Sequence, residues 1–229
     1  MKKFLHYIYN FFYVSVYWNP LLAVFITWHE IKRGSRYGIN TIKPGPLKGL
    51  TIADGDISKS SPYEAVNYYI LENLLENFRR LFPEEKNLTD VGCGKGRVMV
   101  AAAYYGFTKI TGVDFAKELC EEAEKNMQLT KKKFTAIDYK VIYDNALNYP
   151  LTAADTVFFL FNPFNKEMLE KFTKKVVQSI NQFPRTVYFL YASPKYLDVL
   201  QKSGFNEVYH IKKMKILEGV IAVNPISTS

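Results

Sequence analysis

The run NLTDVGCGKGRVMVAAAYY, residues 87–105, constrains the fold of this chain more than any other stretch. Strand-forming residues lead into Gly92, Gly94 and Gly96, and these open an Ala- and Val-rich segment that stops at Gly106. Glycines at such a turn permit tight backbone angles and let a ligand touch the main chain. A helix opening there offers free N–H groups and a partial positive charge. Asp114 ends the next apolar run, 22 residues after Gly92, where a carboxylate can accept hydrogen bonds from ribose hydroxyls. The unit should therefore hold a nucleoside-like molecule at the carboxyl ends of its strands.

From Ser61 onward the pattern alternates. Ser61-Pro62-Tyr63-Glu64 reads as a capping box with Pro at the first helical position, predicting a helix to about Leu81. Strands are predicted at 87–91, 109–113, 139–143, 156–161 and 186–191, with helices at 97–105, 116–128, 166–180 and 194–203. The tail 205–223 reads as two further strands. Thr156–Phe161 and Thr186–Tyr191 are almost continuously apolar, as expected for strands buried on both faces. The expected fold is α/β: a mostly parallel, seven-stranded, doubly wound sheet with an antiparallel edge pair. Lys131–Lys133 reads as a solvated loop or helix end.

The glycine loop also discriminates between ligands. A dinucleotide fingerprint is G-x-G-x-x-G, whereas here Arg97 stands where the third Gly would fall. Asp90, two residues before the first glycine, would repel a pyrophosphate and pair with an ammonium group. The GK[ST] ending of a P-loop is absent. A molecule with ribose, adenine and a cation but no phosphate fits, and S-adenosylmethionine is one.

The run DVGCGKGRVMVAAAYYGFTKITGVDF resembles the first two motifs of class I, seven-stranded S-adenosylmethionine-dependent methyltransferases, and the likeness of elements extends over about residues 61–223. The resemblance implies that Asp90 and the backbone around Gly92, Cys93, Gly94 and Gly96 hold the methionine part. It implies that Asp114, with Phe115 beside it, binds the ribose. Asp144 with Asn145 matches the position that bonds the adenine amino group; the alternative for Asp144 is a turn or cap. Cys93 occupies a variable loop position and is not expected to be a nucleophile.

Asn162-Pro163-Phe164, after the fourth strand, resembles the Asn-Pro-Pro-aromatic motif of amino-group methyltransferases, with one proline missing. The resemblance implies that Asn162 and a proline carbonyl accept hydrogen bonds from a target NH while the Phe164 ring packs on it. Catalysis would then rest on positioning. The alternative is that Asn162 caps the following helix. Tyr63 or Glu64, at the start of the leading helix, could line the pocket or belong to an ordinary capping helix. His6, His29 and His210 read as surface or interfacial residues rather than general bases, which favours a nitrogen acceptor over an oxygen one. The stretch GKGRVMVAAAYYGF behind an apolar N-terminal segment is similar to small protein-lysine N-methyltransferases with a membrane anchor. The acceptor is expected to be a protein amine or a small molecule, including a lipid headgroup; a catalytically silent scaffold is the alternative outside enzymes.

Residues 4–28 carry no Asp, Glu, Lys or Arg, and ten of these 25 residues are Phe, Tyr or Trp. They could span a bilayer by length, but Asn10, Ser15, Asn19 and Pro20 interrupt them, and aromatics at this density suit the headgroup level. Asn19-Pro20 splits the stretch into helices at about 3–18 and 20–33 with Gly34 as a stop. His6, Asn10, Tyr13 and Tyr17 form a modest polar stripe on the first. Residues 1–34 are thus expected to form a hydrophobic helical hairpin, lying on a membrane surface, or packed on the catalytic domain or in a dimer. Residues 35–60 would be a linker or lid, and 61–229 the methyltransferase domain. No small-x-small cleavage site follows the apolar run, so no cleaved signal peptide is expected.

The formal net charge is +8. Residues 1–50 hold seven basic residues and one acid, 51–165 thirteen and sixteen, and 166–229 ten and five, so the excess lies at the two ends. With 24 Lys and only 6 Arg, and no recognisable nucleic-acid module, no nucleic-acid partner is expected. Two cysteines cannot build a disulfide framework or a four-ligand zinc site, so no metal is expected and the thiols read as free in a reducing, cytoplasmic compartment.

Overall fold

The apolar runs fold as β1 (Asn87–Val91), β2 (Lys109–Asp114), β3 (Asp138–Tyr143), β4 (Val157–Phe161), β5 (Val187–Ala192), β6 (Asn206–Lys213) and β7 (Leu217–Asn224). The helices are α1 (Lys2–Tyr17), α2 (Pro20–Tyr37), α3 (Tyr68–Leu81), α4 (Arg97–Tyr104), α5 (Lys117–Lys133), α6 (Lys166–Gln182) and α7 (Leu197–Lys202). The structure is a computed structural model, and it describes residues 2–17, 19–39, 41, 50–53, 64–161 and 164–224.

One seven-stranded sheet runs β3-β2-β1-β4-β5-β7-β6. The first five strands pair in parallel, and β7 lies antiparallel between β5 and β6. The expected α/β sheet with its antiparallel pair is present. What the reading lacked was the insertion of β7 inside β6. The physical reason is burial: β7 is apolar on both faces, whereas β6 is mostly exposed and tolerates the edge. The strand order reverses between β1 and β4, which opens a crevice at their carboxyl ends.

The sheet carries a core on each face. Val157, Phe159, Leu190 and Ile221 join the face covered by α3, α4 and α5, while Phe158, Leu160, Phe189 and Val220 join the face covered by α6 and α7. Period-two alternation along β4 thus feeds both cores from one apolar run. Lys131–Lys133 form the last turn of α5, where cations meet the negative end of the helix dipole.

Two predicted boundaries move for a shared reason. The leading helix begins at Tyr68, not at Ser61, and Asn67 caps it by accepting from Tyr69 N at 2.8 Å. Ser61, Pro62 and Tyr63 lie outside the described residues, and Glu64–Asn67 are not helical. Val66 O accepts from Arg97 Nη1 (2.8 Å), and Tyr68 N donates to Glu30 Oε1 (3.3 Å). These long-range partners take the backbone groups that an earlier helix start would need. Gly34 does not stop α2, which runs on to Tyr37 and ends at Gly38 with φ of 69°. The extra turn is held by tertiary contacts. Tyr37 stacks on Tyr68, its hydroxyl donates to Glu72 Oε1 (2.7 Å), and Arg33 pairs with Glu72 (2.9 Å). Gly34 instead lets α1 approach, since a Cβ there would sit 3.3 Å from Tyr7 Oη.

The predicted helix at 194–203 is shortened to Leu197–Lys202, following Ser193 in the left-handed region. Asn19 caps α2 by accepting from Leu21 N at 2.7 Å. The α1 side chains of His6 and Asn10 lie outside the described residues. Among the described residues no helix is long and apolar enough to cross a membrane.

A buried tie between α2 and the sheet domain is the pair Arg97 Nη1–Glu30 Oε1 at 2.9 Å, both side chains being nearly inaccessible. Arg97 also donates to Thr41 Oγ1 (2.7 Å) and lies 4.1 Å over the Tyr68 ring. Removing one partner of a buried pair strands the other charge. Arg97→Met should cost about 3–5 kcal/mol. Arg97→Met with Glu30→Leu should recover part of it, as read by chemical denaturation. A double variant as unstable as the single one would reject the pair as the anchor.

Candidate active site

The site is assembled where β1 stops. Gly92, Gly94 and Gly96 have φ of 78°, 51° and 77°, so all three occupy the left-handed region that a side chain would strain. Gly92 N (2.8 Å) and Cys93 N (3.1 Å) both donate to Val113 O, and Gly96 N donates to Cys93 O at 2.8 Å. The loop therefore folds back on the end of β2. From the other side α5 closes on it. A Cβ on Gly96 would meet Ala123 Cα and Cβ at 3.2 Å, and Asn126 Nδ2 donates to Lys95 O at 2.8 Å. Asn126 was invisible to motif reading, because only the packing of α5 brings it to the loop.

Two carboxylates sit under this loop. Asp114 Oδ2 accepts from Gly94 N (2.8 Å) and Oδ1 from Ala116 N (2.9 Å), with the residue 6% exposed. Burial nevertheless pushes its carboxyl up to about 6. Asp90, beside it on β1, is 3% exposed and its Oδ2 has no hydrogen-bond partner. Burial, and then the neighbouring Asp114, drive Asp90 well above the usual carboxylate range. A buried acceptor without a partner costs about 1–3 kcal/mol.

Cys93 and Cys120 are both buried. A hydrogen bond with Cys120, and then burial, push the Cys93 thiol up, which makes it a poor nucleophile. Phe115 is half-buried, and its carbonyl accepts from Ala53 N at 2.8 Å. That contact belongs to a short strap. Ile52 bridges Ala116, Lys117 N donates to Thr51 O (2.9 Å), and Thr51 N and Oγ1 donate to Glu118. Residues 50–53 thus run beside the Asp114 end of β2. The remainder of the expected lid, 42–49 and 54–60, and Tyr63 lie outside the described residues; Glu64 is exposed.

Asp144 follows β3, and its N–H donates to Asp114 O at 3.0 Å. Its Oδ1 accepts from Asn145 N (2.7 Å) and Asn148 Nδ2 (3.1 Å), and Asn145 Oδ1 accepts from Leu147 N (3.0 Å). Both side chains therefore build the turn, and they do so next to Asp114. Lys175 on α6 pins that turn by donating to Leu147 O and Tyr149 O.

Asn162 and Pro163 lie outside the described residues. The chain reaches them from Phe161, the end of β4, whose Leu160 pairs with Val91 immediately before the glycine loop. Phe164 is half-buried, with its ring 5.6 Å from that of Phe172. Asn165 caps α6 by accepting from Met168 N at 3.0 Å. His29 lies between aromatic rings on α2, and His210 pairs with Glu218 (2.8 Å) on the edge strand. Among the described residues no group of His, Cys, Asp and Glu could hold a metal ion.

Residues 88–182 match the family described as a methyltransferase domain. Those residues form a methyltransferase domain, carried on the seven-stranded sheet of the class I, S-adenosylmethionine-dependent fold. No curated protein matches the sequence. Among solved structures, the methyltransferase is similar in fold to a candidate RNA methyltransferase from Pyrococcus horikoshii. That likeness has a TM-score of 0.54 at 16% identity and covers 80% of this chain and 94% of that one. A candidate methyltransferase from Escherichia coli gives 0.51 at 13% identity, over 81% and 97% of the two chains. The 1,6-didemethyltoxoflavin-N1-methyltransferase of Burkholderia thailandensis, solved with S-adenosylhomocysteine, gives 0.50 at 11% identity, over 79% and 97%.

The buried carboxylates make ligand-free stability pH-dependent. A carboxyl whose folded-state pKa is raised contributes most when protonated. That contribution is complete below the unfolded value near 4 and is lost as pH rises through the folded value. For Asp114 the window is from about 4 to about 6. Asp90→Asn removes one such group, so its Tm advantage over the parent protein should grow between pH 4.5 and pH 8. A constant difference in thermal melts would show that Asp90 does not titrate as its burial requires.

Proposed function

We propose that the enzyme methylates an amine, with a lysine side chain of a protein as the acceptor. The observation that carries this reading is the place of Asn162-Pro163-Phe164 in the chain, directly after β4 and next to the strand that delivers the glycine loop. Asn165 already serves as the cap of α6, which supports a role for Asn162 other than capping that helix. Asn162 and the Pro163 carbonyl would accept hydrogen bonds from the target nitrogen and aim its lone pair, so that positioning supplies most of the rate. Phe164 would pack on the target. No histidine among the described side chains stands near the glycine loop, which suits a nitrogen acceptor that enters neutral and needs no general base.

When bound, S-adenosylmethionine supplies a methyl group activated on a sulfonium. The residues present fit it. Asp90 Oδ2 is buried and lacks a partner, as a carboxylate awaiting an ammonium group would be. Gly92, Cys93, Gly94 and Gly96 would present their backbone to the methionine part. Asp114 and Phe115 would serve the ribose, and Asp144 with Asn145 the adenine. The Asp144–Asn145 turn adjoins Asp114, which supports an adenosine lying along the ends of β2 and β3.

Asn162→Ala should leave cofactor binding unchanged in calorimetry and abolish turnover, whereas Asp114→Ala should weaken binding by about 1–3 kcal/mol. Labelled-methyl transfer into a lysate, split into protein, lipid, nucleic-acid and small-molecule fractions, identifies the acceptor. Label in the protein fraction, lost with Asn162→Ala, is the expected result; label confined to nucleic acid would overturn the amine reading.

A second reading concerns the partner of residues 1–34. The exposed large apolar residues of α1 and α2 include Phe12, Val16, Tyr17, Leu21, Val24, Trp28 and Ile31. A surface this apolar and aromatic, followed by Lys32, Arg33 and Arg36, supports contact with a phospholipid surface. The enzyme is expected to co-sediment with phospholipid vesicles, and Leu21→Ser with Trp28→Ser to reduce that binding. Vesicles that bring down none of the parent protein would remove this partner.

A further inference from the structure

We propose that a cavity between α2, α3 and the end of α4 holds the headgroup of an aminophospholipid, its phosphate on arginines and its ammonium on a glutamate. This rests on the reading that α1 and α2 meet a membrane surface.

The cavity measures about 410 Å³ and lies away from the glycine loop; His29, Arg33, Arg36, Asn73, Glu76 and Tyr105 line it. His29 forms part of its wall, 8% exposed, and its Nδ1 is buried without a partner. A ring nitrogen so placed is open to a group from outside the chain. Burial, then Arg33 and Lys32, hold His29 below its ordinary value, so it stays neutral and can donate one hydrogen bond.

The charges in the wall decide what enters. Glu72 is buried and already serves Tyr37, Arg33 (2.9 Å) and Arg36 (3.5 Å). Each guanidinium has five N–H donors, so both arginines keep donors beyond that contact. Glu76 is exposed and forms no ion pair among the described residues. With Glu72 offsetting one arginine, the wall presents one surplus positive charge and, on Glu76, one negative charge. A bare anion would satisfy the first and face the second. A headgroup carrying a phosphate and an ammonium satisfies both.

The membrane is the source that the neighbouring surface selects. Leu21, Val24, Trp28 and Ile31 form an exposed stripe along α2. His29, Arg33 and Arg36 lie roughly 130° around the same helix. The Trp28 ring stands 4.7 Å from the ring of His29, so the edge of the stripe is the rim of the cavity. Lys32 lies between them, 4.5 Å over Trp28. Acyl chains against the stripe would bring a headgroup to the cavity mouth.

The full chain is tested by co-sedimentation with vesicles of phosphatidylcholine alone, with added phosphatidylethanolamine, or with added phosphatidylglycerol. The expected result is a preference for phosphatidylethanolamine of about tenfold, the size of one charge-assisted hydrogen bond. Glu76→Gln, at an exposed position with no ion pair among the described residues, should erase that preference and leave phosphatidylcholine binding unchanged. Equal binding to all three compositions, or a preference for phosphatidylglycerol, would overturn the cavity while leaving the membrane reading intact. Persistence of the preference in Glu76→Gln would overturn the ammonium site. Binding to no vesicle at all would overturn both.

Discussion

Everything about the catalytic end hangs on the return of the glycine loop onto β2. The loop gives two N–H groups to Val113 O and one to Asp114 Oδ2, and α5 closes on its back through Ala123 and Asn126. These contacts leave the start of α4 and its free N–H groups at the crevice between β1 and β4. They also enclose Asp90 and Asp114 side by side out of water. The cost of burying two carboxylates is tolerable in a protein whose ligand brings a positive charge. A site of that kind would be destabilised when empty and relieved when filled, a common arrangement where function and stability compete.

The second organising contact lies outside the motif. Arg97 replaces a glycine of the dinucleotide fingerprint, and it turns away from the crevice to bind Glu30, Thr41 and the Val66 carbonyl. One side chain therefore fixes the N-terminal helices, the start of α3 and the start of α4 to each other. With Glu72 and its arginines it makes α2 part of the folded domain along its inner face. Its outer face remains apolar. Packing on the catalytic domain and contact with a membrane were alternatives in the sequence, but the two faces of α2 allow both.

Much of the sheet was legible because its signals are local. The apolar runs of β4 and β5 are long, and their double-sided burial shows in composition alone. The glycine loop, Asp90 and Asp114 were legible because left-handed backbone and close approach demand glycine at fixed positions. The helix starts were less so. Ser61 to Glu64 makes a plausible cap, and so does Asn67, and intrinsic preferences between them differ by about 1 kcal/mol or less. The same holds at Gly34, where a helix-ending preference of about 1 kcal/mol yields to the stacking of Tyr37 and the Glu72 ion pairs.

By itself the sequence determined the fold class, the strands, the glycine loop and the acids beside it, since each depends on neighbours within a few residues. Only the tertiary structure decided that β7 lies inside β6, that α3 waits until Tyr68, that Asp144 folds into its own turn, and that α2 is tied to the glycine helix. Those outcomes depend on partners far apart in the chain, as with Arg97 and Glu30 at a separation of 67 residues. Breaking a buried polar pair costs several kcal/mol only because both members are enclosed. That enclosure is a property of the packed molecule, and no local pattern encodes it.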